Sequence, residues 1–279
     1  MESEILSAIV SAERAAGERM LHARAILAET KSGRRDVVTA YDREVQALLI
    51  ERLAAAVPGT GFFCEETDDR ARLDSEAVFI IDPIDGTMNF VHGFHHSCVS
   101  VAFARRGEVV AAAIYNPYAD ELFTALKGQG AALNGRPIHV TQENLAGSVV
   151  CYGTSPYNPS LTDETFALAR RLYDASLDLR REGSAALDLC TVAAGRAGLY
   201  FELQLSPWDY AAGALIVREA GGVCLLPDGA ELPLDGEKHG IVAGSPAAMA
   251  DYLKVIVGTT ICRPPLQNGA SEKTYLEGS

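Results

Sequence analysis

Residues 80–90 read I-I-D-P-I-D-G-T-M-N-F. Two carboxylates stand three residues apart at the end of an apolar run, and Gly-Thr follows at once. An acid at the C-terminal end of a buried strand lies where α/β proteins place their ligands. Pro83 stiffens the chain behind Asp82. Asp85 comes back to the same side one short turn later, with the Ile84 carbonyl between the two acids. Two carboxylates and a carbonyl oxygen suit a hard cation such as Mg²⁺. Gly86 and Thr87 then open a short helix whose free N–H groups make an anion cradle. Taken alone, the stretch also reads as an ordinary Asp-Gly turn, so the other acids of the chain have to decide.

Around this stretch the texture is that of strands. V-F-I-I (78–81), C-V-S-V-A-F-A (98–104), V-V-A-A-A-I-Y (109–115) and L-F-T-A (122–125) are apolar and β-rich. Arg106-Gly107-Glu108 and Tyr118-Ala119-Asp120 supply turns between them, which predicts an antiparallel meander. Upstream, Ile5, Ile9, Ala12, Ala16 and Met20 recur at helical spacing and predict a long amphipathic helix over residues 3–29. Residues 31–36, K-S-G-R-R-D, read as a mobile loop. A second helix starts at Thr39 and ends at Pro58-Gly59.

Residues 127–137 read as a turn-rich bridge to the second half. That half alternates. Strands are expected at 148–152, 177–181, 198–202, 222–226 and 240–243, and helices at 163–175, 185–195, 207–220 and 246–257. The pattern is α/β. It divides the chain into an N-terminal half (1–145), an α/β half completing the site (146–261) and a polar tail (262–279), expected to be disordered.

The 279 residues are 48% hydrophobic, enough for a sizeable core. No apolar run approaches the ~18 residues needed to span a bilayer, and Met1-Glu2-Ser3-Glu4 does not open a signal peptide. A cytoplasmic protein is expected. Cys64, Cys98, Cys151, Cys190, Cys224 and Cys262 form no C-x-x-C pair and read as buried free thiols. The net charge of −13 argues against broad nucleic-acid binding. An acidic protein can act on an anion if a bound cation reverses the local field.

The remaining acids fall at element ends. Cys64-Glu65-Glu66 closes the Phe62-Phe63 strand. Thr39-Ala40-Tyr41-Asp42 has capping-box spacing. Ser206-Pro207-Trp208-Asp209 is a helix start with a serine cap, proline first and an acid third. Ser184-Ala185-Ala186-Leu187, preceded by Gly183, is another. Each has a structural explanation by itself; the set gains meaning only if these termini converge.

Together the segments resemble the inositol monophosphatase family. The matching stretches are K-S-G-R-R-D-V-V-T-A-Y-D (31–42), E-E (65–66), I-D-P-I-D-G-T-M-N-F-V-H-G-F (81–94), E-G-S-A-A-L-D-L-C-T-V-A-A-G-R (182–196) and P-W-D-Y-A-A-G (207–213), over roughly residues 1–257. The resemblance implies a layered α/β/α/β/α fold and Mg²⁺-dependent, lithium-sensitive hydrolysis of phosphate monoesters, with two or three Mg²⁺ per site. It also implies a homodimer.

Residue by residue, the resemblance implies that Glu65, Asp82 and the Ile84 carbonyl hold one Mg²⁺. Asp82, Asp85 and Asp209 hold a second. Asp42 and Thr87 orient the attacking water, so that with Glu65 they make up the catalytic set. The Gly86 and Thr87 amides cradle the phosphate. Asp85, Gly183, Ser184, Ala185 and Glu202 contact the alcohol half, and Lys31 lies on the mobile loop near the metals.

Departures from the family pattern are Cys64, Gly198, His95-His96 and Leu203-Gln204-Leu205-Ser206, several of them expected at the substrate end. The substrate expected is inositol 1-phosphate or a related polyol or sugar phosphate. Fructose 1,6-bisphosphate, histidinol phosphate or a 3′-phosphonucleotide is the alternative. A bisphosphate would need cations at the pocket, for which Arg180, Arg181 and Arg196 are the candidates. A third reading, taken from some bacterial members, is action through RNA or transcription-complex partners.

Overall fold

A computed structural model describes residues 2–24, 26, 28–33, 36–67 and 70–257, with residues 30–33 and 36–37 described by their backbone alone. Cys262 and the tail of the sequence reading lie outside the described residues. Helix α1 (Glu2–Leu21) buries Ile5, Ile9, Ala12, Ala16 and Met20, the stripe that its periodicity predicts. It stops eight residues short of the expected end. The stripe is exhausted at Met20, and beyond it Tyr41 Oη accepts from the Arg24 N–H (2.9 Å) and donates to the Arg24 carbonyl (3.1 Å). Those contacts replace the helical partners of that backbone.

The expected loop at 31–36 is instead built largely of the arms of a hairpin, β1 (Ala28–Gly33) and β2 (Asp36–Thr39), with Ala28 opposite Thr39. Thr30, Val37, Val38 and Thr39 are β-branched residues that favour the pleat. Helix α2 (Ala40–Ala56) follows directly. Strands β3 (Gly61–Cys64) and β4 (Val78–Asp85) lead to the short helix α3 (Thr87–His92). The meander then runs through β5 (Cys98–Arg105), β6 (Glu108–Asn116) and β7 (Glu121–Leu126).

The bridge expected at 127–137 carries two further strands, β8 (Ala131–Leu133) and β9 (Arg136–Ile138). Asn134 and Gly135, both at positive φ (49° and 75°), make the tight turn between them. The first sheet therefore has seven strands in the order β3 to β9, antiparallel except for the β3–β4 pair.

The second half supplies β10 (Val149–Tyr152), α4 (Thr162–Ala175), β11 (Asp178–Arg180), α5 (Ala185–Ala193), β12 (Leu199–Leu205), α6 (Pro207–Glu219), β13 (Val223–Leu225), β14 (His239–Gly244) and α7 (Pro246–Ile256). Its five strands lie in the order β11-β10-β12-β14-β13.

Alternation sorts the side chains into layers. In β5, Val99, Val101 and Phe103 pack with α1 and α2, while Cys98, Ala102 and Ala104 pack with α5 and α6. In β14, Ile241 and Ala243 join α5 and α6, and Val242 joins α4 and α7. The layers run α1α2, seven-stranded sheet, α5α6, five-stranded sheet, α4α7. This is the five-layer mixed α/β arrangement that the resemblance implies. Cys64, Cys98, Cys151, Cys190 and Cys224 are buried free thiols. No described helix is long and apolar enough to cross a membrane.

Candidate metal centre and active site

The layering brings together the ends of β3 and β4 and the starts of α2, α5 and α6. Asp82 and Asp85 leave β4, and Asp209 begins α6. Among the described residues these three form a cluster whose carboxylate oxygens lie within 4.8 Å of one another. Asp82 is buried and its Oδ1 accepts the Ile84 N–H at 3.1 Å. Asp85 Oδ2 accepts the Ala186 N–H at 2.8 Å and a short hydrogen bond from Ser184 Oγ. Asp209 Oδ2 accepts the Ser206 N–H at 2.6 Å, so its capping role and its place in the cluster coexist.

Electrostatics say what such a cluster can hold. Burial pushes the Asp82 carboxyl well above the usual range, and Glu65, Asp85 and Asp209 push it further. Asp209 is raised well above by burial, then by Glu65 and Asp85, against the opposing Ser206 N–H. Asp85 is raised by burial and eased by Ser184 and by the backbone of Ala186 and Ala185. Buried like charges of this kind are stable when a cation joins them. The donors are all oxygen, which fits a hard divalent ion. Glu65 stands outside the three-acid cluster but lines the same cavity from the turn after β3.

Asp42 is fully buried at the start of α2. Its Oδ2 accepts from the Thr39 N–H (2.7 Å) and Thr39 Oγ1 (2.6 Å), the predicted capping box. Its Oδ1 lies 3.3 Å from Thr87 Oγ1. Thr87 Oγ1 is also 3.1 Å from the Ile84 carbonyl, so its single proton serves one of two acceptors. Gly86 precedes α3 at φ +83°, and a Cβ there would stand 3.1 Å from the His96 carbonyl and 3.2 Å from that of Gly183. Glycine meets both demands, the left-handed backbone and the close approach.

A cavity of about 830 Å³ joins these groups. Asp82, Ile84, Asp85, Gly86, Thr87 and Asp209 line it, as do Gly183, Ser184, Ala185 and Glu202. Glu202 is held by the Ser155 N–H (2.6 Å, to Oε1) and Tyr200 Oη (2.8 Å, to Oε2). Burial raises its carboxyl while these two partners lower it. Val38 brings the β1–β2 hairpin to the rim. Lys31 lies on β1, not on a loop, and its side chain lies outside the described residues.

Of the three candidate arginines, Arg181 lines the cavity. Arg180 pairs with Asp178, and Arg196 pairs with Glu121 through Nη1 at 3.1 Å; both line a second cavity of about 450 Å³. His95 and His96 also line that second cavity and not the first. At Gly198 a Cβ would meet Ser148 Cβ at 2.4 Å, and this residue too is absent from the active cavity's wall. The side chains of His95 and His96 and Gly198 are therefore not part of this cavity's lining, whereas Gln204, Leu205 and Ser206 are.

Sequence reasoning missed Arg70 and Asp188. Asp188 lies one turn after Ser184 on α5 and is buried, with Oδ1 lacking a hydrogen-bond partner. An acid set in the apolar run A-A-L-D-L-C was its signal. Arg70, alone in a polar loop, offered none.

The model of the inositol monophosphatase family matches residues 1–258. The chain belongs to the inositol monophosphatase family. Among inositol monophosphatase relatives, "Inositol monophosphatase 2" of Solanum lycopersicum is 41% identical over 224 residues, covering 77% of this chain and 83% of that protein. "Putative Nus factor SuhB" of Neisseria meningitidis serogroup B is 37% identical over 255 residues, covering 90% and 97%. The crystal structure of extragenic suppressor protein suhB from Bartonella henselae superposes with a TM-score of 0.84 at 33% identity, covering 90% of this chain and 98% of that one.

Proposed function

We propose that this chain hydrolyses a small phosphate monoester in a Mg²⁺-dependent reaction, with inositol 1-phosphate or a related polyol or sugar phosphate as substrate. The observation that carries the reading is the convergence of Asp82, Asp85 and Asp209 within 4.8 Å beside the Thr87–Asp42 contact. In this reading Glu65, Asp82 and the Ile84 carbonyl hold one ion, and Asp82, Asp85 and Asp209 hold another. When bound, the ions neutralise the phosphate dianion, acidify a water and stabilise the departing alkoxide.

The protein's own groups do the rest. Asp42 accepts the Thr87 hydroxyl hydrogen bond, which leaves the Thr87 oxygen lone pairs to orient the attacking water by accepting from it. The Gly86 and Thr87 amides hold the phosphate oxygens in line for displacement. Ser184, with Gly183 and Ala185, fixes the alcohol half beside Asp85 and Gly86. Glu202, preset by Tyr200 and Ser155, accepts its hydroxyls. In this reading Glu202 and Asp188 supply acceptors for a hydroxyl-rich alcohol, and Arg181 and Lys238 are among the lining cations that a second phosphate would engage. The reading includes a cytoplasmic homodimer, which light scattering would check against the 29.7 kDa chain mass.

The test is phosphate release from inositol 1-phosphate, glycerol 2-phosphate, fructose 1,6-bisphosphate, histidinol phosphate and a 3′-phosphonucleotide, with Mg²⁺ and with chelator. Turnover that needs Mg²⁺ supports the reading, and the ratios of kcat/KM choose the substrate class. Folded protein inactive on all five would overturn it. A second reading draws on relatives named Nus factor: a role in a transcription complex. Salt-dependent retention on immobilised RNA would favour it, against the opposing charge of −13.

A further inference from the structure

Glu65 and Asp209 both line the cavity, one from the turn after β3 and the other from the first turn of α6. The turn after β3 is held on two sides by ordinary contacts. The Glu65 N–H donates to the Ile81 carbonyl at 3.2 Å, which ties it to β4. Gln46 of α2 accepts the Glu66 N–H at 3.0 Å and donates to Thr67 Oγ1 at 3.3 Å.

The third side is Arg70. Its Nε donates to the Cys64 carbonyl at 2.8 Å and its Nη2 to the Glu65 carbonyl at 3.1 Å. The same guanidinium lies 4.5 Å from the Trp208 ring centroid and 5.6 Å from that of Phe63. Phe63 and Trp208 also pack on each other, centroids 5.6 Å apart. Trp208 immediately precedes Asp209, and Phe63 stands two residues before Glu65.

We propose that Arg70 is a positioning residue for the metal centre: it locks the backbone of Glu65 to Trp208 and so fixes the spacing between Glu65 and Asp209. The role needs a planar group with several donors in a fixed fork and a face that stacks on an aromatic ring, which arginine has and lysine lacks. The inference rests on the Mg²⁺ reading above. Arg70 lines the cavity too, but in that reading it acts through the Cys64 and Glu65 carbonyls rather than as a metal ligand, so its loss weakens cation binding while the reaction at saturating Mg²⁺ survives. Partners that orient metal ligands in this way are worth about 10-fold to 100-fold in metal affinity.

Trp208 is the chain's only tryptophan and provides the readout. Mg²⁺ is titrated into wild type, Arg70→Met and Arg70→Lys, following Trp208 fluorescence and, in parallel, the heat of binding. Arg70→Met keeps an apolar stem over the ring and removes both donors. We expect its Mg²⁺ midpoint to rise about 10-fold or more, that of Arg70→Lys to rise as well, and kcat and substrate KM at saturating Mg²⁺ to stay within about twofold of wild type. Midpoints within twofold of wild type in folded variants would overturn the inference, as would a kcat loss that excess Mg²⁺ does not restore. Thermal unfolding in chelator establishes folding; should Arg70→Met fail there, Arg70→Lys, which keeps charge and stem, carries the comparison. Wild type showing neither heat nor fluorescence change with Mg²⁺ would instead overturn the underlying metal reading.

Discussion

Thr87 Oγ1 and Asp42 Oδ1 meet at 3.3 Å although 45 residues separate them, and the second oxygen of Asp42 is already taken by the backbone and hydroxyl of Thr39. One carboxylate thus caps α2 and faces the active cavity's threonine. The cap fixes the carboxylate's rotamer, so Thr87 needs only to present its hydroxyl. Thr87→Ala should lower kcat about 10²-fold or more with the Mg²⁺ midpoint nearly unchanged, and Thr87→Ser should recover most of the rate. Single-turnover kinetics with a calorimetric Mg²⁺ titration would check both.

Asp209 sets stability against function. Its carboxyl is raised by burial and by Glu65 and Asp85, so without a cation it is a liability. Asp209→Asn keeps an oxygen to accept the Ser206 N–H while removing the charge. In chelator at neutral pH its Tm should rise by about 2–4 °C, while Mg²⁺ binding and turnover collapse. Asp209→Ala loses the cap as well, which costs about 1 kcal/mol, and its Tm should fall below that of Asp209→Asn.

The cluster also predicts how Mg²⁺ and pH combine. Asp82, Asp85 and Asp209 all have carboxyls raised in the folded protein. The folded state therefore binds protons more tightly than the unfolded chain, and metal-free stability falls as pH climbs from about 4 through the raised values. Mg²⁺ needs the deprotonated acids. Its stabilisation should be largest at pH 8, about 2.7 kcal/mol at 100 times Kd, and should fade towards pH 5. Differential scanning fluorimetry with Mg²⁺ and with chelator at several pH values would show the two curves converging in acid.

Glu13 makes a separate prediction inside the first core. It is fully buried on α1, and neither carboxylate oxygen has a partner of good hydrogen-bond geometry. Burial pushes its carboxyl well above the ordinary range, with the Val101 backbone opposing in part. Ionisation then works against folding, and the destabilisation grows as pH rises. Glu13→Met should be more stable than wild type by about 1–3 kcal/mol at pH 8, with the difference shrinking near pH 5. Urea unfolding at the two pH values would test the sign.

Much of this could be read from the chain because local chemistry and tertiary position agree. Asp82 and Asp85 end an apolar run, and the run is a central strand buried on both faces. Asp209 and Asp42 sit at helix starts whose caps are visible three residues earlier, and both caps form. The hairpin at 28–39 was hidden because Lys-Ser-Gly-Arg-Arg carries the composition of a loop, and strand pairing there is set by the partner arm. The overlong first helix came from continuing a pattern past its last buried residue, Met20. Arg70 could not be found from sequence at all: its partners are backbone carbonyls and ring faces, which leave no spacing to read.

The order of the acids along the chain has a consequence for synthesis. Asp42, Glu65, Asp82 and Asp85 leave the ribosome well before Asp209, and α5 and α6 are shared between both sheets. A nascent chain therefore carries most of the acids long before the helices that complete the cluster. In the proposed reading, cation binding would therefore report completion of the fold, since a chain that ends before Asp209 lacks one member of the three-acid cluster.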